Sequence, residues 1–165
     1  MASATYLQSL DTVYENGDPR GFTLSNRRQV ESFIAGAVIA ANDLVALDLS
    51  ASGGLGGQAV TIIKADKNTD SKSIVIGFAL EAATATDVTA GKAIKVTIAG
   101  VHETANVAGG ATVVKGKRLC ISTTPGRAAI YANSDTQPIV AYAMSDAGAG
   151  GTGTEFLCSV FVIKQ

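Results

Sequence analysis

The chain has 165 residues, with 13 Lys plus Arg against 14 Asp plus Glu and a net charge of −1. That length suits one ordinary domain, or one domain plus an arm, with enough chain to bury a hydrophobic core. The charge balance excludes the basic excess of a typical nucleic-acid binder and the polybasic segment of a membrane-surface protein.

Charged residues make up 16% of the chain, there is no Trp, and there are 18 Gly. A typical soluble domain carries about 25% charged residues. Low charge on a soluble chain points to a surface covered by partners, because uncharged exposed area tends to be interface. No apolar run approaches the ~18 residues of a membrane span. The first thirty residues hold Asp11, Glu15, Asp18, Arg20 and Arg27 and no apolar core of a secretory signal, so the chain is expected to be made and folded in a cytoplasm.

Residues 1–32 read as an extended N-terminal arm. They are polar, carry the turn signal "ENGDPRG" and show no sustained period, yet they hold spaced anchors at Tyr6, Leu7, Leu10, Tyr14, Phe22 and Leu24. Disordered tails lack such anchors. Extended, thirty residues reach on the order of 100 Å. Tyr6, Leu7, Leu10, Tyr14 and Phe22 are therefore interface candidates, because aromatic side chains dominate interface energy. The adjacent pair Arg27 and Arg28 joins them as a contact for an acidic partner surface.

Residues 33–165 read as an all-β domain. "GAVIAANDLVALDLS" holds two short apolar runs broken at Asn42-Asp43, and "AVTIIKA", "SIVIGFAL", "KAIKVTIAG", "TVVKGKRLCIS", "RAAIYA", "PIVAYAM" and "FLCSVFVIK" follow. Ile94, Val96 and Ile98 share one face while Lys95 and Thr97 share the other. Turn residues separate the runs, and many short strands at regular spacing predict a sandwich or a small barrel. "EAATATDVTAG" permits one short helical turn, against its Thr content.

The runs also repeat. "VIAANDLVAL" from Val38 matches "VVKGKRLCIS" from Val113, with Leu44 and Leu119 opening the second run. "IIKADKNTDSKSIVIGFALEAA" matches "AIYANSDTQPIVAYAMSDA", and each copy closes on an alternating strand, "KAIKVTI" or "LCSVFVI". Residues 33–101 and 105–163 are thus two repeated β units. A unit of about four strands buries its own face poorly, and packing two together solves that.

No catalytic constellation is visible. His102 is the single histidine and reads as a strand-end residue beside Glu103, without a nucleophile signature to serve. "GGLGG" (53–57) and "GAGGTGTE" (148–155) lack the Lys-Ser/Thr and following helix of a phosphate loop. Asp66, Asn68 and Asp70 alternate as in a calcium loop, but Ser71 and Gly77 stand where that loop requires Gly and Glu. Cys120 and Cys158 lie inside apolar runs and read as buried thiols, and two Cys with one His are too few for zinc. No catalytic residue, cofactor or metal is expected.

"FIAGAVIAANDLVALD", "IVIGFALEAATATDVTAGKAIKVTIAGVHETANVAGGATVVKGKRLCISTTPGRA" and "PIVAYAMSDAGAGGTGTEFLCSVFVIKQ" together resemble the small capsid decoration, or cement, proteins of tailed bacteriophages. The likeness covers residues 33–165 and rests on patterning and small-residue placement. It implies a barrel or sandwich on the outside of the head shell, a homotrimer, and the major capsid protein as partner. The expectation is a non-enzymatic virion protein that stabilises contacts between capsid subunits without nucleic acid or membrane. The alternative is another virion component, a head-fibre base or tail protein recognising host glycan.

Overall fold

The computed structural model describes residues 28–51, 60–68, 74–109, 112–132, 137–147 and 155–163. Within them lie nine strands: β1 (Gln29–Ala35), β2 (Leu44–Leu47), β3 (Thr61–Lys64), β4 (Val75–Ala79), β5 (Ala93–Ala108), β6 (Arg118–Ile121), β7 (Ala128–Ile130), β8 (Ala141–Ala143) and β9 (Glu155–Val162). One short helix, α1 (Ala85–Thr89), follows β4. Its start is fixed by Thr84, which accepts from the Asp87 amide while the Asp87 carboxylate accepts from the Thr84 amide. This reciprocal cap outweighs the β-branched content that argued against a helix.

The strands close into two small barrels rather than a sandwich. The first ring runs β1–β3–β2–β4–β5 and closes through β1–β5; the second runs β5–β7–β6–β8–β9 and closes through β5–β9. β5 serves both: Ala93–Ala99 faces β1, and Gly100–Ala108 faces β9. The sequence reading ended a strand near Ile98 and left residues 102–104 between the units. Instead one 16-residue strand runs through. It passes from one ring to the other between Ala99 and Gly100, and a bulge between His102 and Ala105 interrupts its pairing with β9. β1 begins at Gln29, four residues inside the segment assigned to the arm.

The pairing pattern of the first ring recurs in the second. β1–β3 and β5–β7 are parallel, and the other pairs of each ring are antiparallel. Ile39 bridges to Ala83 as Val113 bridges to Ala147. The Asn42 amide donates to the Ala79 carbonyl as the Gly116 amide does to Ala143. Asn42 and Gly116 both have positive φ, 71° and 85°. These contacts set Ile39 against Val113, one residue from the alignment that matched Val38 to Val113. The Leu letters misled, because Leu44 faces out of its ring while Leu119 faces in.

Alternation explains the two cores. Val45, Ile62, Ile94 and Val96 fill the first ring. Ala105, Val107, Leu119, Ile121 and Val160 fill the second, and that cluster takes in Leu44, Ala46, Val75 and Phe78 from the outside of the first ring. β2 and β4 are therefore covered on both faces. Burying Leu44 and Phe78 contributes roughly 2–3 kcal/mol each. β4 carries one residue more than β8 needs: Val45 pairs with Gly77 and Ala46 with Val75, leaving Ile76 as a bulge.

Candidate functional site

The junction of the rings holds a buried polar cluster built from the Asn42-Asp43 turn and the middle of β5. His102, 1% exposed, stacks on Phe78 with ring centroids 5.4 Å apart. Its Nε2 donates to Asn42 Oδ1 at 3.3 Å, and the Thr97 hydroxyl donates to Nδ1 at 3.1 Å. Asn42 Oδ1, an acceptor, also takes the Thr104 hydroxyl at 2.9 Å. This assignment requires neutral imidazole. Burial first, and the Arg28 charge second, lower the pKa of His102 from 6.5 to about 4.

Asp43 completes the cluster. Its carboxylate accepts from the Ala40 amide at 2.8 Å and from Asn106 Nδ2 at 3.0 Å, and pairs with Lys64 Nζ at 3.3 Å. The 122–127 loop of the second half closes over this corner: Leu44 N donates to Gly126 O, Gly126 N to Ala65 O, and Lys67 N to Ser122 O. Asp43→Ala is expected to cost about 2–4 kcal/mol, because it removes at once the acceptor of the Ala40 amide, the shorter of two acceptors of Asn106 Nδ2 and the counter-charge of Lys64. Urea unfolding at pH 7 measures this.

The cluster is structural. A hydroxyl beside an imidazole has the ingredients of nucleophilic chemistry, but Thr97 is 0% exposed and His102 is sealed with it. The sequence reading put His102 at a strand end. It lies inside β5, and its neighbour Glu103 points to solvent on the bulge. Among the described residues no group of three His, Cys, Asp or Glu is placed to hold a metal ion. Asp66 accepts from the Asn68 amide, and Asn68 Nδ2 donates to Thr123 O, so the alternating acidic stretch begins as a turn tied to the 122–127 loop. Asp70, the 53–57 glycines and residues 148–154 lie outside the described residues. Cys120 and Cys158 are buried thiols and are not joined in a disulfide. No described helix is long and apolar enough to cross a membrane.

Of the interface candidates, Tyr6, Leu7, Leu10, Tyr14, Phe22 and Arg27 lie outside the described residues. Arg28 is exposed at the start of β1, close enough to His102 for its charge to act there. A different set of apolar residues is exposed on the second ring: Tyr142 and Met144 from β8 and its end, and Leu157 and Phe161 from β9. Tyr142 pairs with Phe161, and Met144 N donates to Ser159 O, so the four lie side by side on the outer face. Sequence reasoning missed them. "FLCSVFVI" is apolar at nearly every position, so alternation did not say which face points outward.

No family model and no curated protein matches the chain. A solved structure that is similar is "The crystal structure of head fiber gp8.5 N base in bacteriophage phi29". It is 16% identical, with a TM-score of 0.45, over 84% of this chain and 99% of that one.

Proposed function

We propose that this chain is a non-enzymatic structural component of a tailed-phage head, held to the outside of the shell by contacts with the major capsid protein. The observation that carries the reading is the contrast between its two kinds of site. The buried polar groups at the junction are consumed in joining the rings, and the apolar side chains of the second ring face solvent. Such a surface suits protein–protein contact. The sequence resemblance to decoration proteins supports the location.

In this reading the chain clamps neighbouring capsid subunits as a homotrimer, and the arm anchors Tyr6, Leu7, Leu10 and Tyr14 grip the shell. Three modest contacts joined in one trimer multiply effective affinity. Full-length chain is expected to co-sediment with heads lacking it. Deletion of residues 1–20, which leaves β1 intact, is expected to weaken that binding at least about tenfold. Unchanged co-sedimentation would remove the arm from the account, and absence of binding by the full chain would remove the head.

A head-fibre base attaches to the same shell and differs in what it carries. A clamp raises the temperature at which heads release DNA; a fibre base leaves it unchanged and recruits a further protein.

A further inference from the structure

The place that joins the rings in the first half is open in the second. In the first ring Leu44 pairs with Phe78 and Phe78 with Thr97, all 0% exposed, and Asp43 stands at their border. In the second ring the equivalent residues are Arg118, Tyr142 and Phe161, paired in the same order, with Lys117 in the place of Asp43. Tyr142 and Phe161 are 40% and 45% exposed, and Met144 and Leu157 extend the apolar strip. The border has changed sign, from a carboxylate to cations.

The strip has a size and a polarity. Leu157 to Phe161 spans about 13 Å along β9, and three strands span about 10 Å across, room for roughly four residues of extended chain. Along its β6 side run exposed Lys115, Lys117 and Arg118. The Arg118 guanidinium lies over the Tyr131 ring, 5.0 Å from its centroid, and the Asp146 carboxylate accepts from the Lys115 amide at 2.7 Å. Lysines of the first ring have their counter-charges in place: Asp43 for Lys64, Asp87 for Lys92 and Glu81 for Lys95. Among the described residues no carboxylate pairs with the ammonium of Lys115 or Lys117. Across the strip, on β5, stand Glu103 and Thr104. An apolar centre with a polar rim is the anatomy of a protein contact. The sign of the charge on that rim selects a partner by its carboxylates. Both rings are closed, so the contact uses side chains rather than an added strand.

We propose that the β8–β9 face takes a short apolar segment of the major capsid protein bordered by Asp or Glu. Its apolar side chains sit on Tyr142, Met144, Leu157 and Phe161, and its carboxylates lie against Lys115 and Lys117. The identity of the partner rests on the proposed function, in which this face meets the shell. The preference for carboxylates rests on the rim.

The probe is a short synthetic peptide with a Leu cluster followed by a run of Glu, compared with its counterpart bearing Lys in place of Glu. Binding to the full chain is read at the methyl resonance of Met144, one of two methionines. The Glu peptide is expected to shift that resonance and to bind at least about tenfold more tightly than the Lys peptide. Lys115→Gln with Lys117→Gln is expected to weaken it roughly fivefold at low salt, while the charge-matched Lys92→Gln with Lys95→Gln leaves it unchanged. No preference for Glu, or equal losses from the two pairs, would overturn the proposal. So would conversion of an oligomer to monomers by Tyr142→Ser with Phe161→Ser, which makes a second copy the occupant. Co-sedimentation with heads separates the two readings. Failure of the parent chain to bind removes the shell as partner and the proposed function with it. Binding that the Lys115 and Lys117 substitutions leave unchanged overturns the proposal alone.

Discussion

Gly77→Ala is expected to be the most damaging single-methyl change among the described glycines. A Cβ at Gly77 falls on the Thr97 carbonyl oxygen, and the backbone there has φ +156°, which L side chains rarely adopt. Relief is difficult from either side. Gly77 follows the Ile76 bulge in β4, which is covered on both faces, and Thr97 belongs to the strand that both rings share. Moving that carbonyl also moves the hydroxyl bonded to His102. The expected loss is roughly 3–5 kcal/mol, at the upper end for single substitutions. Gly91→Ala is the control: φ is +66° but a Cβ meets nothing within 4 Å, so about 1 kcal/mol of backbone strain is expected. Denaturant midpoints of the two variants side by side measure the difference. If the two costs were equal, the close approach to Thr97 would not be limiting.

Acid is expected to loosen the junction through His102. Its folded pKa is about 4 against an ordinary 6.5, chiefly because it is buried and secondarily because of Arg28. Between these values the unfolded chain binds a proton that the folded chain refuses. The histidine's contribution is therefore complete above pH 6.5 and falls as pH drops toward 4, by about 3 kcal/mol over the window. Arg28 opposes protonation, while Asp43, one residue along the same turn, is engaged by Asn106 and Lys64. Carboxylates also titrate in this range, so the informative quantity is a difference. His102→Leu is expected to be less stable at pH 7 by about 1–2 kcal/mol, chiefly from the Thr97 hydroxyl left without its imidazole partner, since the Asn42 oxygen keeps the Thr104 hydroxyl. It is also expected to lose less stability than the parent chain between pH 6.5 and 4.5. Parallel urea titrations at the two pH values check this, and identical pH dependence would mean that His102 titrates normally in the fold.

Much of the fold was legible in the residues because strands write a local signal. Short Val/Ile-rich runs between turn residues correspond to β2, β3, β4, β6, β7, β8 and β9 within a few positions. The match of "VIAANDLVAL" to "VVKGKRLCIS" located segments that hold equivalent places in the two rings. The match slipped by one residue because sequence similarity counts letters and pairing counts directions. Leu44 and Leu119 are the same residue type doing opposite things.

The junction cluster was not legible. Asn42, Asp43, Thr97, His102 and Asn106 are separated by up to 64 positions, and nothing local distinguishes a histidine in a strand from one at its end. The run "VHETANVA" carries a polar stretch that reads as a break. It is tolerated inside β5 because the bulge turns Glu103 to solvent and lets His102 face Phe78.

By itself, then, the sequence determined an all-β chain of short strands in two similar sets, low in charge and without a motif for chemistry. Each of those properties follows from residue type and near-neighbour spacing. Tertiary structure alone decided that the sets close into two barrels on one shared strand. It also decided that the junction seals its histidine, and that the outer face buried in the first ring stays open in the second. Those outcomes depend on which sides of distant strands meet. Alternation states that a strand has two faces, and only packing assigns one of them to a neighbour and the other to water.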